Sequence, residues 1–140
     1  MMKKLIGIAG WLLLAFCSCK KENTSAPAEP VKDISGSWKI IKAVRNGTDL
    51  TNRFDFSAFR INFSDSAYTI DNLVPFIISK NGTWKFDDPV YPFEITLTSP
   101  GDERHSTVLY PVVDGVRNLV ISFSPGCTLN TYQYTLLKDN

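Results

Sequence analysis

Three cysteines, one histidine and two adjacent acidic pairs are the groups in this chain from which chemistry could be built. Cys17 and Cys19 stand in the run Phe16-Cys17-Ser18-Cys19, directly after an apolar stretch, where the chemistry open to a thiol is acylation following signal cleavage. Signal peptidases need a small residue before the cut, so Ser18 before Cys19 fits and Phe16 before Cys17 does not. Cys19 is therefore the expected lipidated N-terminus. Cys127 is then left without a disulfide partner, and a lone thiol of this kind is expected to be a buried small hydrophobe. His105, in the stretch GDERHS, has no second histidine or free cysteine with which to share a metal, so it reads as a solvated surface group in a loop. Glycoside hydrolysis would need two carboxylates facing each other across a cleft. Asp87-Asp88 and Asp102-Glu103 are instead sequence neighbours, both placed in strand connections, and Asp87-Asp88-Pro89 reads as a turn. Calcium-loop spacing, a Gly-x-Ser-x-Gly elbow, a phosphate-cradling loop and a dinucleotide fingerprint are all absent. The expectation is a protein with no catalytic residues, no metal and no cofactor, and not an enzyme.

The elements that would carry any site begin with the export segment. Lys3 and Lys4 form a positive n-region, and residues 5–16 form an apolar stretch, shorter than the ~20 residues a spanning helix requires. Residues 1–18 are thus expected to be a removed lipoprotein signal peptide, with an ordinary secretory signal as the alternative. Losing them takes away two lysines and no acid, which moves the formal net charge from +1 to −1. No basic field remains to hold nucleic acid or an anionic membrane surface. Membrane attachment should come from the lipid, since multiple acyl chains anchor far more firmly than one. Residues 19–33 contain polar residues with Pro27 and Pro30 but no apolar periodicity, and read as a flexible tether. Residues 34–140 are long enough for one domain with a single core.

That domain reads as all-β. Residues 38–44 form a first strand ended by Asn46-Gly47; Phe59, Ile61 and Phe63 alternate with Arg60, Asn62 and Ser64; residues 68–71 follow the Ser64-Asp65-Ser66 turn. After a turn at Asn81-Gly82, Trp84 and Phe86 alternate with Thr83 and Lys85, and Phe93, Ile95 and Leu97 with Glu94, Thr96 and Thr98. A strand over residues 107–113 runs into the hairpin dipeptide Asp114-Gly115, and Leu119, Ile121 and Phe123 resume beyond it. The last strand places Tyr132, Tyr134 and Leu136 opposite Gln133 and Thr135. Eight strands in meander order dispose of their edges best by closing into an antiparallel up-and-down barrel. An open β-sandwich is the alternative.

Two stretches break the alternation. Residues 51–58 (TNRFDFSA) could form a turn or lid with Phe54 and Phe56 pointing inward, and residues 72–80 (NLVPFIISK) carry large apolar side chains around Pro75. Both are expected at one barrel end, as a plug of the core or as the gate of a cavity. A barrel of eight strands is just wide enough to fill with side chains or to hold one small ligand. Candidate lining residues for a ligand are Ile40, Phe54, Phe56, Phe63, Phe76 and Tyr134. Tyr91 and Tyr110, both beside prolines, are the aromatics most apt to leave the core and bind a sugar or partner.

The run Ile34-Ser35-Gly36-Ser37-Trp38 resembles the opening of lipocalins, in which a Gly-x-Trp on the first strand lays the indole across the closed end of the barrel. With the turn from Asn46 through Gly47, Thr48, Asp49 and Leu50 to Thr51, the strand start Gly82-Thr83-Trp84, and the loop Ser124-Pro125-Gly126-Cys127 leading to Asn130-Thr131-Tyr132-Gln133-Tyr134, the chain resembles the lipocalin-like lipoproteins of unknown function common in Bacteroidota. The likeness covers residues 34–137. It implies a calycin-type barrel with Gly36 and Trp38 as its floor. The chain departs from large lipocalins in lacking their Thr-Asp-Tyr loop motif and paired disulfide, departures that bear on the cavity and not on the barrel. The functional expectation is a lipid-anchored outer-membrane protein of a Gram-negative cell envelope, acting as a binding or accessory module for a small apolar or amphipathic ligand. The alternative is a structural or interaction protein with a filled core that docks on another envelope protein.

Overall fold

A computed structural model describes residues 27–74 and 78–139. Ten strands follow one another in it: β1 (Gly36–Arg45), β2 (Thr48–Asp49), β3 (Arg60–Ser64), β4 (Ala67–Asp71), β5 (Gly82–Phe86), β6 (Glu94–Ser99), β7 (Asp102–Leu109), β8 (Val112–Val113), β9 (Val116–Phe123) and β10 (Tyr132–Lys138). No described residue is helical. Each long strand pairs antiparallel with its neighbours in chain order, and β10 pairs with both β9 and β1. The result is a closed eight-stranded barrel, not an open sandwich, with β2 and β8 as two-residue additions to β1 and β9. The strand expected over residues 107–113 is in fact split. β7 starts at Asp102 and stops at Leu109, because Pro111 has no N–H to give to the ladder, and Val112-Val113 begin a separate hairpin.

Alternation decides which side chains enter the core, and one irregularity corrects it. In β1 the buried residues are Trp38, Ile40 and then Ala43, a change of parity produced by a register shift between Ile40 and Lys42. The bulge ejects Ile41 and lets both halves of the strand face inward. The interior is one cluster that includes Phe59, Ile61, Phe63, Ile95, Leu97, Leu119, Ile121 and Leu136.

Because the strands alternate in direction, the connections sort to two ends. At the end where the tether enters, Ile34 and Trp38 are fully buried, and the Trp38 indole N–H donates to the Ile34 carbonyl at 2.7 Å. Tyr110 lies against Trp38 with ring centroids 6.3 Å apart, and its hydroxyl donates to Asp33 O at 2.9 Å. The Lys32 N–H donates to Pro89 O, so the incoming chain is latched before β1 begins. Gly36 opens β1 opposite Phe63 at a φ of 117°, where a Cβ would meet Lys138 Cε at 2.6 Å.

At the far end lie both interruptions of the strand pattern. The Asn72 amide donates to Ala58 O at 2.9 Å and ties one to the other. Phe56, Val74 and Ile78 are buried there. Phe54, expected to point inward, is 49% exposed instead: Phe56 takes the buried position, and the Phe54 ring leans against it at a tilt of 56°, centroids 6.1 Å apart.

Asn81-Gly82 is not a hairpin turn. The Asn81 side chain accepts the Ile70 N–H at 2.9 Å, and Gly82 is already in β5, opposite Tyr68. A Cβ on Gly82 would stand 1.9 Å from the Thr98 carbonyl oxygen, so glycine is needed there for close approach of β5 to β6. Gly82→Ala is expected to lower stability by about 1–3 kcal/mol, the range for overpacking a filled core. Urea unfolding followed by tryptophan fluorescence measures it, and a shift in midpoint below a few tenths of a molar would contradict this role.

Candidate functional site

The barrel interior has two unlike sides. Around β1, β9 and β10 it is packed shut: Tyr134 meets Phe56 at 6.0 Å and Phe123 at 5.9 Å, and Ile40 and Leu136 fill the space between. Burial pushes the Tyr134 phenol far above its ordinary value. Of the candidate lining residues, Ile40, Phe56, Phe63 and Tyr134 thus belong to one buried cluster, while Phe54 lies half outside it. Phe76 and Cys19 lie outside the described residues.

The opposite wall, β3 to β6, carries an aromatic row. Phe63 and Trp84 sit edge to face at 5.4 Å, and Trp84 and Phe86 at 5.1 Å. Tyr68 faces the same interior, as the register partner of both Phe63 and Gly82, and Trp84 is paired with Leu97. Two polar atoms in this wall, Tyr68 Oη and Trp84 Nε1, are buried with no hydrogen-bond partner among the described residues. Burial raises the Tyr68 phenol above its ordinary pKa, opposed in part by the nearby Ser99 hydroxyl. Ser99 is itself buried, and its hydroxyl donates over a long 3.5 Å to Asp102 O. Trp84, Phe86 and Ile70 are only partly buried. The wall is also thinly stitched here: β4 and β5 pair through Ala67 with Thr83 and Tyr68 with Gly82, extended by the Trp84 N–H donating to Ser66 O. An aromatic surface with two inward donors and a short seam beside it can hold an apolar molecule that offers an oxygen acceptor.

A family model for a domain of unknown function, DUF5004, matches residues 16–137. The chain belongs to this family. No curated protein and no solved structure gives a significant match. The DUF5004 span takes in the Phe16–Cys19 segment, the tether and the ten strands up to the last residue but one of β10, so the wall just described and the latched N-terminal segment both lie within it.

The chemistry-bearing groups singled out in the sequence do not gather inside. His105 and the pair Asp102-Glu103 are on β7, not in a connection, because that strand begins earlier than its polar residues indicate. His105 points outward between two carboxylates, Nδ1 at 2.9 Å from Glu94 and Nε2 at 3.1 Å from Glu103, and so is exposed but paired. Among the described residues no group of three or more His, Cys, Asp or Glu side chains converges to hold a metal. Asp87 and Asp88 cap a turn: Asp87 Oδ1 accepts the N–H groups of Phe93 and Glu94, and Asp88 Oδ1 those of Val90 and Tyr91. Cys127 is exposed, not buried, since the 124–131 loop turns back on itself through Asn130 N–H to Cys127 O and leaves the thiol outside. Tyr91 is exposed, whereas Tyr110 closes the floor.

Tyr68, Trp84, Phe86 and Ser99 were not legible as a group, since cross-strand register brings them together. The signal available was the Gly82-Thr83-Trp84 strand start, which places an indole directly after a residue that must be small.

Hydrogen bonds from Glu94 and then Glu103 hold the His105 pKa above its ordinary value. A raised folded-state pKa contributes stability that is fully present below the unfolded value of about 6.5 and lost as pH rises through the folded value. Proton NMR of this single histidine should give a midpoint above 6.5, moved down more by Glu94→Gln than by Glu103→Gln. A wild-type midpoint at or below 6.5 would refute the pairing.

Proposed function

We propose that the chain is a lipid-anchored, lipocalin-like lipoprotein of the outer membrane, similar to those of Bacteroidota, and that its barrel is a non-catalytic binding module. Its ligand is a small amphipathic molecule seated on the Phe63, Trp84 and Phe86 side of the interior. The observation that carries this reading is the pair of buried, unpartnered donors, Trp84 Nε1 and Tyr68 Oη, in an otherwise aromatic wall. Each such group costs about 1–3 kcal/mol when left unsatisfied, and native proteins rarely keep one without a use. A carbonyl, ether or hydroxyl oxygen on an apolar body would satisfy them while its hydrocarbon covers the rings.

Anchoring is supported by the apolar stretch that follows Lys3 and Lys4 and by the Ser18-Cys19 junction; of these the family match takes in residues 16–19. Among the described residues no helix is long and apolar enough to cross a membrane. A second reading, an interaction protein with a filled core, draws on the single buried cluster that joins Ile40, Phe56, Phe63 and Tyr134.

The deciding measurement is native mass spectrometry on the chain from Lys20 onward after exposure to envelope extract, compared with its denatured mass. A small-molecule adduct lost on denaturation is expected. Trp84→Phe, which keeps an aromatic ring but removes the indole donor and part of the contact area, should weaken it by at least the roughly 2- to 13-fold worth of one neutral hydrogen bond. Tyr68→Phe should leave the ligand-free barrel unchanged or more stable, because it removes an unpaired hydroxyl and little volume. A bare monomer under all conditions points to the filled-core reading. Separately, Cys19→Ala should abolish labelling by a fatty-acid precursor and release the protein from the membrane fraction; a variant still labelled and membrane-bound would refute the anchor.

A further inference from the structure

The tether end of the barrel is unusually apolar. The β8–β9 hairpin projects from it around Asp114-Gly115, both at positive φ, with Val112, Val113 and Val116 all exposed. Val113 pairs with Val116, and the exposed Leu109 pairs with Val120, which is itself buried. The Val108 N–H donates to Phe93 O and so places Phe93, 72% exposed, beside Leu109 on the same rim. A set of large side chains left in water on one end of a small domain marks a surface that something covers.

The route of the chain indicates what covers it. Val31 is exposed immediately before Lys32, whose N–H is bound to Pro89 O in the loop that leads to Phe93. Residues 20–31 are all that separates Cys19 from this point. A segment of that length reaches at most about 40 Å when extended and about 20 Å on average. An acyl chain on Cys19 therefore attaches the domain to the bilayer by this end, and at such an effective concentration even a weak apolar contact is populated.

Charge does not oppose the approach. The Asp87 and Asp88 carboxylates are turned onto backbone N–H groups, Asp33 accepts the Ser35 N–H, and Glu29 is paired with Lys32. The Arg117 guanidinium is folded over the Tyr110 ring at 4.9 Å. Asp114, at the tip of the turn, is the one charge of the hairpin that would lie among the headgroups. With no basic patch here, the contact must be apolar.

We infer that the rim of Phe93, Leu109, Val112, Val113 and Val116 seats in the headgroup layer of the bilayer that holds the protein's own lipid, so that the barrel stands with its tether end down. The inference rests on acylation at Cys19. It is tested with the lipidated full chain in vesicles of phosphatidylcholine and phosphatidylethanolamine. Flotation comes first: a chain that does not float overturns the anchor, and the docking with it. On floated protein, hydrogen exchange should be about tenfold slower in the 112–116 hairpin than in the same protein in detergent-free peptidisc, with no change at the Asn46-Gly47 turn on the far end. Carrying Cys127→Ser, a dye-labelled Val113→Cys protein should be quenched by bromolipid several-fold more than a labelled Thr48→Cys protein, equally at low and high salt. Equal quenching at the two sites overturns the docking while leaving the anchor standing. Protection that vanishes at one protein per vesicle would assign the rim to a second copy, and protection found only in native membranes would assign it to another protein; either result overturns the inference.

Discussion

Pairing of β10 with β1 is the interaction on which the rest of the structure depends. Trp38 stands in register with Lys138, Ile40 with Leu136 and Ala43 with Tyr134, and this seam turns a row of strands into a ring without free edges. The ring gives Trp38 an enclosed site, and Trp38 in turn binds Ile34 O and so fixes the chain that precedes β1. A small polar clamp on the outside reinforces the seam. Asp139 holds Lys39 at 2.8 Å and Arg60 at 2.6 Å, linking the end of β10 to β1 and β3. These hydrogen bonds keep the Asp139 carboxyl below its ordinary pKa, so their contribution is present above the unfolded value of about 3.9 and fades as pH falls through the lowered one.

Within the ring, packing is uneven in a way that bears on function. The β1, β9 and β10 side is sealed by Tyr134, Phe56 and Phe123, whereas the β3 to β6 side holds edge-to-face rings and two donors without acceptors. The unpaired phenol is a cost that phenylalanine would avoid at nearly the same volume, and the unpaired indole N–H adds to it. The asymmetry coincides with the short β4–β5 ladder, so the region with unmet hydrogen bonds also borders the seam with the fewest paired residues in the ring.

Much of this architecture was legible in the sequence because a strand with one buried face repeats every two residues. Phe59, Ile61 and Phe63, and Tyr132, Tyr134 and Leu136, announce their strands in that way, and Gly36-Ser37-Trp38 announces the floor. Where local pattern and tertiary need diverged, the reading failed for identifiable reasons. Asn81-Gly82 has the composition of a turn, but Gly82 is small so that β5 can approach Thr98. Residues 102–106 look like a loop because a strand at the barrel surface can carry charge on its outer face, here Glu103 and His105. The Ile40–Lys42 bulge leaves no trace in composition, since Ile41 is as apolar as the residues that enter the core. The aromatic wall was hidden for a deeper reason: Phe63, Tyr68 and Trp84 come to one face through register across β3, β4 and β5, and register is a property of the closed sheet.

Closure by the last strand also sets the order in which this protein can mature. Lys39 and Asp139, joined across the seam, are 100 positions apart, so no part of the chain short of its final residues can complete the ring. Contacts so distant in sequence are slow to form, because the entropy of closing the long loop is lost before any pairing repays it. For the export route proposed above, that delay is of use: the chain stays threadable until β10 has followed the rest across, and a chain cut short in synthesis leaves β1 and β9 with open edges for quality-control proteases to find.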